Sequence, residues 1–329
     1  MLRVIAASGL VAFHLQIYTH NEGDTFHLQL PGFGLFVDIF FVISGVVISH
    51  VYLEGVGRQG TYALFMRKRL ARLVPLHLLT ASIYWLLTSI SVTDPPHTTV
   101  CHALTFALMQ AWGLCPHLIL NGPSWSISAE MAMYALFPIF AAVALRRRHL
   151  VLVMAVAAFI LLSWSTYRLE LRPWPNWTYD FGGVRAVPAF LLGIWLTRAR
   201  CLLMRVPMPS AGLFISLSLF MAAVVLEAPA LGHILIAYAV VIFAVAADTQ
   251  HRAGPLVRFL APYGRLTYTV YMIHSPLLLA ASMAGRGFMG LEDAGMWTLV
   301  VLTVLVILPP LAYATHIGFE QPLRNRFLK

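Results

Sequence analysis

Apolar runs of roughly 15 to 22 residues repeat along this chain, the length needed to cross a hydrocarbon core of about 30 Å with a helix rising about 1.5 Å per residue. They fall near 2–18, 33–53, 73–92, 128–146, 149–166, 184–197, 211–227, 230–247, 266–285 and 296–318. Strands of a membrane barrel would alternate polar and apolar side chains, and these runs do not. Hydrophobic residues make up 60% of the 329 residues and charged ones only 11%, with a mean hydropathy of +0.79. So little polar surface cannot clothe a soluble globule of this size. The sequence therefore predicts an all-α, polytopic integral membrane protein of about ten transmembrane helices.

The formal charge of +9 does not imply nucleic acid once the basic residues are sorted by loop. With the N-terminus inside, 18 of the 22 Lys and Arg residues fall on cytoplasmic segments; only Arg168, Arg172, Arg185 and Arg286 fall outside. The positive-inside rule then places both termini in the cytoplasm. The first span carries one basic residue, an embedded His14 and no small-residue cleavage site before the acidic loop Asn21-Glu-Gly-Asp24, so it reads as a retained helix rather than a signal peptide. No polar stretch is long enough to bury a core of its own and no internal repeat is visible, so residues 1–329 form a single membrane domain. The longest loop, 93–127, contains an apolar piece, "HALTFALMQAWG", too short to span, which is either re-entrant or on the surface. Cys101 and Cys115 share this outer loop; a disulfide and two buried thiols both fit, whereas Cys201 lies inside. In the outer loop 167–183, Trp and Tyr residues read as interfacial anchors.

Intramembrane polar residues are expensive and usually face a cavity or a partner. Arg3 and His14 are eleven positions apart, which puts them on one helical face about 16 Å apart along α-helical rise. Asp38 and Glu130 fall at a depth similar to that of His14, where a carboxylate would orient an imidazole and prepare it as a general base; structural hydrogen bonding between helices is the alternative. At the other side, Arg69 and Arg72 are i, i+3 neighbours able to offer two guanidinium forks to phosphate, or simply to fix topology beside anionic lipid. Asn121, Ser124 and Ser126 suit the start of a helix as caps, with Trp125 in the interfacial belt. Tyr268, Tyr271 and His274 share one late span. No Cys/His spacing suits a metal, no Gly-rich phosphate loop occurs, and no nucleophilic Ser elbow is present.

In order along the chain stand "LRVIAASGLVAFH", "VDIFFVISG", "RLARLVP", "PSWSISAEMAMYALFP", "YGRLTYTVYMIHSP" and "FEQPLR". Together they resemble the motifs of the membrane acyltransferase 3 family, which O-acylates sugars of bacterial surface polysaccharides and some secondary metabolites. Phe36 departs from the pattern, standing where the family commonly has Gly before Val-Asp and narrowing the space near Asp38. No hydrolase-like outer domain follows, as it does in some members.

The resemblance implies a multi-pass enzyme of the bacterial inner membrane, most similar to exopolysaccharide O-acetyltransferases. It implies cytosolic acyl-CoA, with acetyl-CoA the first choice, as donor, and a carbohydrate or lipid-linked sugar hydroxyl as acceptor, with membrane lipids around it and neither metal nor nucleic acid. It implies His14 as catalytic base, with Asp38 and Glu130 as further catalytic candidates. Arg3, Arg69 and Arg72 are then donor-phosphate contacts, and Ser124, Trp125, Ser126, Tyr271 and His274 substrate contacts. Direct transfer and an acyl-His intermediate both remain open. Two other readings stand beside this one: a flippase for an anionic lipid-linked saccharide, against which the lack of a repeat counts, and acylation of a secondary metabolite.

Overall fold

Apolar periodicity and helix-compatible spacing carry through to the computed structural model, which describes residues 1–19, 31–58, 60–90, 99–251 and 254–328. The acidic loop at 21–24, the start of the 93–127 loop, Arg252 and Lys329 lie outside the described residues. The chain forms α1 (Leu2–Thr19), α2 (Phe36–Tyr52), α3 (Thr61–Ile90), the short α4 (Thr99–Phe106), α5 (Trp125–Arg146), α6 (Arg148–Arg168) and α7 (Gly182–Arg198). There follow α8 (Arg200–Leu203), α9 (Pro209–Val225), α10 (Ala230–Thr249), α11 (Pro255–Leu260) and α12 (Thr267–Met283). The last helical run is α13 (Asp293–Leu302), α14 (Leu308–Thr315) and α15 (Gln321–Leu328), joined through π-turns at Thr303–Ile307 and His316–Glu320. No strand occurs among the described residues.

Every expected span coincides with helix, but the boundaries move. Seven helices among the described residues are long and apolar enough to cross a membrane. Helix α9 is apolar but has 17 residues, about 26 Å of rise against a core of about 30 Å, and so falls short by length; α7 and α12 are also outside the seven. Helix α3 begins at Thr61 rather than near residue 73, so its basic stretch Arg67–Arg72 is helical. Four long helices contain an interior proline, Pro75, Pro138, Pro188 and Pro276, which packing against neighbouring helices makes tolerable.

The bundle is organised around α2 and α7, its most extensive helix pair. Small residues allow it: a Cβ added to Gly45 would run into the carbonyl oxygen of Phe190, and one on Gly193 into that of Val42. The same pair of helices is tied by a buried ion pair in which Arg185 Nη2 donates to Asp38 Oδ2 at 2.5 Å. Phe36 fills the space beside them, its ring 4.6 Å from that of Phe220 and packed over Gly9.

The structure decides between the two readings of the cysteine pair and corrects that of the 167–183 loop. Cys101 and Cys115 are disulfide-bonded, and the segment they staple docks on the bundle: His77 Nε2 lies 2.9 Å from the Thr105 carbonyl, and Ser128 Oγ donates to the Leu108 carbonyl at 2.5 Å. In the 167–183 loop, Trp174 and Trp177 are 0% and 8% exposed and so are not interfacial anchors. Their indole N–H groups are satisfied within the protein, that of Trp174 by Ser163 Oγ on α6 and that of Trp177 by the Arg172 carbonyl of its own loop, both at 3.0 Å. Burying a large ring with its one donor satisfied outweighs interfacial placement.

Candidate active site

A cavity of about 80 Å³ opens between α1, α2, α3, α5 and α12 at the end of the bundle that carries both termini. Arg3, one residue into α1, and the Arg69–Arg72 pair on α3 line it. All three are half-buried. The long α3 makes this possible, because i, i+3 spacing turns both guanidiniums to the same wall. Aromatic rings hold Arg69 in place: its guanidinium carbon lies 5.4 Å from the Tyr52 ring centre, 5.7 Å from that of Phe65 and 5.8 Å from that of Tyr134. Arg69 Nη2 donates to the Tyr52 hydroxyl at 3.2 Å, while its Nε has no partner among the described residues.

Glu130 is the one carboxylate among the described residues lining this cavity. It accepts from Ser44 Oγ at 2.6 Å and from the Tyr134 hydroxyl one helical turn away. Its hydrogen-bond donors are neutral hydroxyls, so the three guanidiniums face a single negative charge.

His14 lies eleven residues along α1 from Arg3. Its Nδ1 is 2.7 Å from the Leu10 carbonyl; a carbonyl oxygen only accepts, so Nδ1 carries the proton and Nε2 keeps its lone pair. His274 of α12, fully buried, brings Nε2 to 3.2 Å from the same Nδ1, with the rings 4.9 Å apart. Close by, the Tyr18 hydroxyl lies 2.8 Å from Ser275 Oγ and 3.5 Å from the Tyr84 hydroxyl. Tyr271, one turn before His274, reaches the cavity wall and hydrogen-bonds Ser126 Oγ at 2.8 Å, so it links the histidine pair to the cationic cavity.

The expectation that a carboxylate at matched depth orients His14 is corrected: the Leu10 carbonyl and His274 occupy those positions. Asp38 is fully buried and committed to Arg185, whose remaining N–H groups donate to the Trp177 and Gly34 carbonyls at 3.0 and 3.3 Å. Glu130 sits with the arginines instead. Trp125 is 6% exposed rather than in an interfacial belt, its ring 5.3 Å from the Arg185 guanidinium carbon. Neither Ser124 nor Ser126 caps α5; their hydroxyls donate backwards, to the Asn121 carbonyl at 2.6 Å and the Pro123 carbonyl at 3.1 Å. Asn121 itself donates to Thr80 Oγ1 and the Met272 carbonyl, both at 3.0 Å, and so joins α3 to α12. Ser126 and Tyr271 line the cavity; Ser124 and Trp125 stand behind its wall.

Arg185, Ser44 and Tyr134 belong to this constellation without having been singled out from the sequence. For Tyr134 a signal existed, since it stands i+4 from Glu130 on one helix face. Nothing local marks Ser44 or pairs Arg185 with a residue 147 positions away.

A family model described as an acyltransferase domain matches residues 1–315 of the chain. Acyltransferase MdmB of Streptomyces mycarofaciens is 32% identical over 149 residues, which cover 42% of this chain and 37% of that protein. Protein 2 in picA locus of Rhizobium radiobacter is 29% identical over 182 residues, 49% of this chain and 93% of its own length. The O-acetyl transferase of Shigella phage Sf6 is 28% identical over 205 residues, 58% of each chain. The chain thus spans less than two thirds of the first and third of these relatives. No solved structure matches.

Proposed function

Because this chain belongs to the acyltransferase 3 family, we propose that it is a multi-pass O-acyltransferase of a bacterial inner membrane. It moves an acetyl group from cytosolic acetyl-CoA to a hydroxyl of a cell-surface or lipid-linked sugar. One observation carries the reading: three half-buried guanidiniums against one carboxylate, in a cavity at the end of a helix that leads to a histidine pair. Half-buried cations without counter-charge are costly, and a polyanionic donor supplies the missing charge.

Residues 1–329 act as one membrane domain with about ten transmembrane helices and both termini cytoplasmic. The basic residues support that orientation, and so does the Cys101–Cys115 disulfide, which suits an oxidising outer face. The donor's phosphates lie on Arg3, Arg69 and Arg72, and its extended arm follows α1 for about 16 Å toward His14, eleven residues on.

His14 Nε2 takes the proton of the acceptor hydroxyl as that oxygen attacks the thioester carbonyl carbon. The C–S bond then breaks, and the departing thiolate takes the proton back from His14, leaving the ester and free thiol. The Leu10 carbonyl holds the tautomer that this requires, and His274 braces the ring at the same Nδ1, leaving Nε2 to the substrate. Asp38 serves by holding α2 on α7, and Glu130 by holding the wall of the donor cavity, rather than by proton transfer.

The test is thiol release from acetyl-CoA by the purified protein in lipid nanodiscs, with mass spectrometry of glycans from cells with and without an active copy. Acceptor-dependent thiol release with a matching acetyl mass gain supports the reading. A flippase would move its saccharide and release no thiol.

A further inference from the structure

Beyond the cationic cavity lies a second, wider space of about 710 Å³, which shares Arg3, Val47 and Arg72 with it. Its far wall is the C-terminal helical run and the turn that precedes α12, and these bring two more guanidiniums, Arg265 and Arg324. Among the described residues neither is ion-paired. The space has two carboxylates, Asp248 and Glu320. Glu320, 3% exposed, is already engaged: Thr269 Oγ1 donates to it at 2.5 Å and His316 Nδ1 lies 2.8 Å away. The π-turn at His316–Glu320 turns that carboxylate back into the bundle. Asp248, exposed at the rim, leaves the positive charge in excess.

The basic residues therefore form a series: Arg69 in the inner cavity, Arg3 and Arg72 where the two spaces meet, and Arg265 and Arg324 on the second space alone. A coenzyme A thioester has two separate anionic groups in the same order, the diphosphate next to its arm and the phosphate on the ribose 3′ position. Resting on the donor proposed above, we infer that the second space is a subsite for the ribose 3′-phosphate. Arg265 and Arg324 bind that phosphate, and the enzyme selects the full coenzyme over otherwise identical thiols that lack it. Arg3 and Arg72, shared by both spaces, take the diphosphate at the narrowing between them.

The experiment measures equilibrium binding of CoA and of 3′-dephospho-CoA to the full chain in nanodiscs, which needs no acceptor. Wild type is expected to prefer CoA by about tenfold or more, since even one of the two charge-assisted contacts is worth about that much. In Arg265→Ala with Arg324→Ala that ratio falls to within about twofold of unity, whereas Arg265→Lys with Arg324→Lys keeps part of it. Arg148→Ala, which removes one charge outside this space, leaves the ratio at its wild-type value and controls for the overall field. Equal binding of both thiols by wild type, or an unchanged ratio in the double alanine variant, overturns the subsite while leaving the donor reading in place. Failure of wild type to bind CoA at all overturns both.

Discussion

Arginine appears in two opposite settings in this molecule. Between α2 and α7, Arg185 meets Asp38 one to one, the side chains 3% and 0% exposed, with backbone carbonyls taking the remaining N–H groups. At the end that carries both termini, Arg3, Arg69 and Arg72 share one carboxylate, itself held by neutral hydroxyls. The first arrangement is electrically closed and holds helices together. The second is open, and its surplus charge is what a ligand would satisfy. Intramembrane charge thus has two uses, and the balance of partners distinguishes them better than residue type or depth.

The largest effect should come from breaking the closed pair. Arg185→Met leaves Asp38 buried and unpaired, at a cost of about 3–5 kcal/mol, and is expected to lower the melting temperature in detergent sharply and deplete the protein from membranes. Combining it with Asp38→Leu should recover most of that loss, because two apolar side chains replace two buried charges. A double variant as unstable as the single one would mean that the pair does more than neutralise itself.

Next comes the histidine that the open cavity leads to. His14→Gln keeps a hydrogen-bonding side chain but cannot titrate near neutral pH, so acceptor-dependent thiol release should fall by roughly 10²–10⁴-fold with membrane abundance and melting unchanged. Substantial turnover by a well-expressed His14→Gln protein would remove His14 from the role of base.

Opening the cationic cavity further should act on affinity rather than on folding. Arg69→Ala or Arg72→Ala is expected to raise the KM for acetyl-CoA by about ten- to a hundredfold, the worth of about 1.5–3 kcal/mol per charge-assisted contact, with kcat less affected. If instead either variant lost stability as Arg185→Met does, the contrast between closed and open sites would collapse. The smallest effect is assigned to Tyr134→Phe. Glu130 retains Ser44 as donor, so donor affinity should change by less than about tenfold, in line with about 1 kcal/mol for one neutral hydrogen bond.

The sequence by itself determined the solvent of this protein and the order of its helices. Each apolar run carries that information locally, since backbone groups in hydrocarbon must bond within their own helix. It also placed Arg3 with His14, and Arg69 with Arg72, on common faces, because helical periodicity fixes neighbours three, four or eleven residues apart. Partnerships across helices were decided only by tertiary structure. Asp38 and Glu130 look alike in sequence, each an acidic residue early in an apolar run, yet one is closed by Arg185 and the other faces three arginines. The docking of α2 on α7 at Gly45 and Gly193 sets the first outcome, and the approach of α1, α3 and α5 sets the second. In the same way His274 lies 260 positions from His14 and meets it only because α12 packs on α1. A charge in lipid must find a partner, but which partner it finds depends on which helix faces it, and that is a property of the packed bundle as a whole.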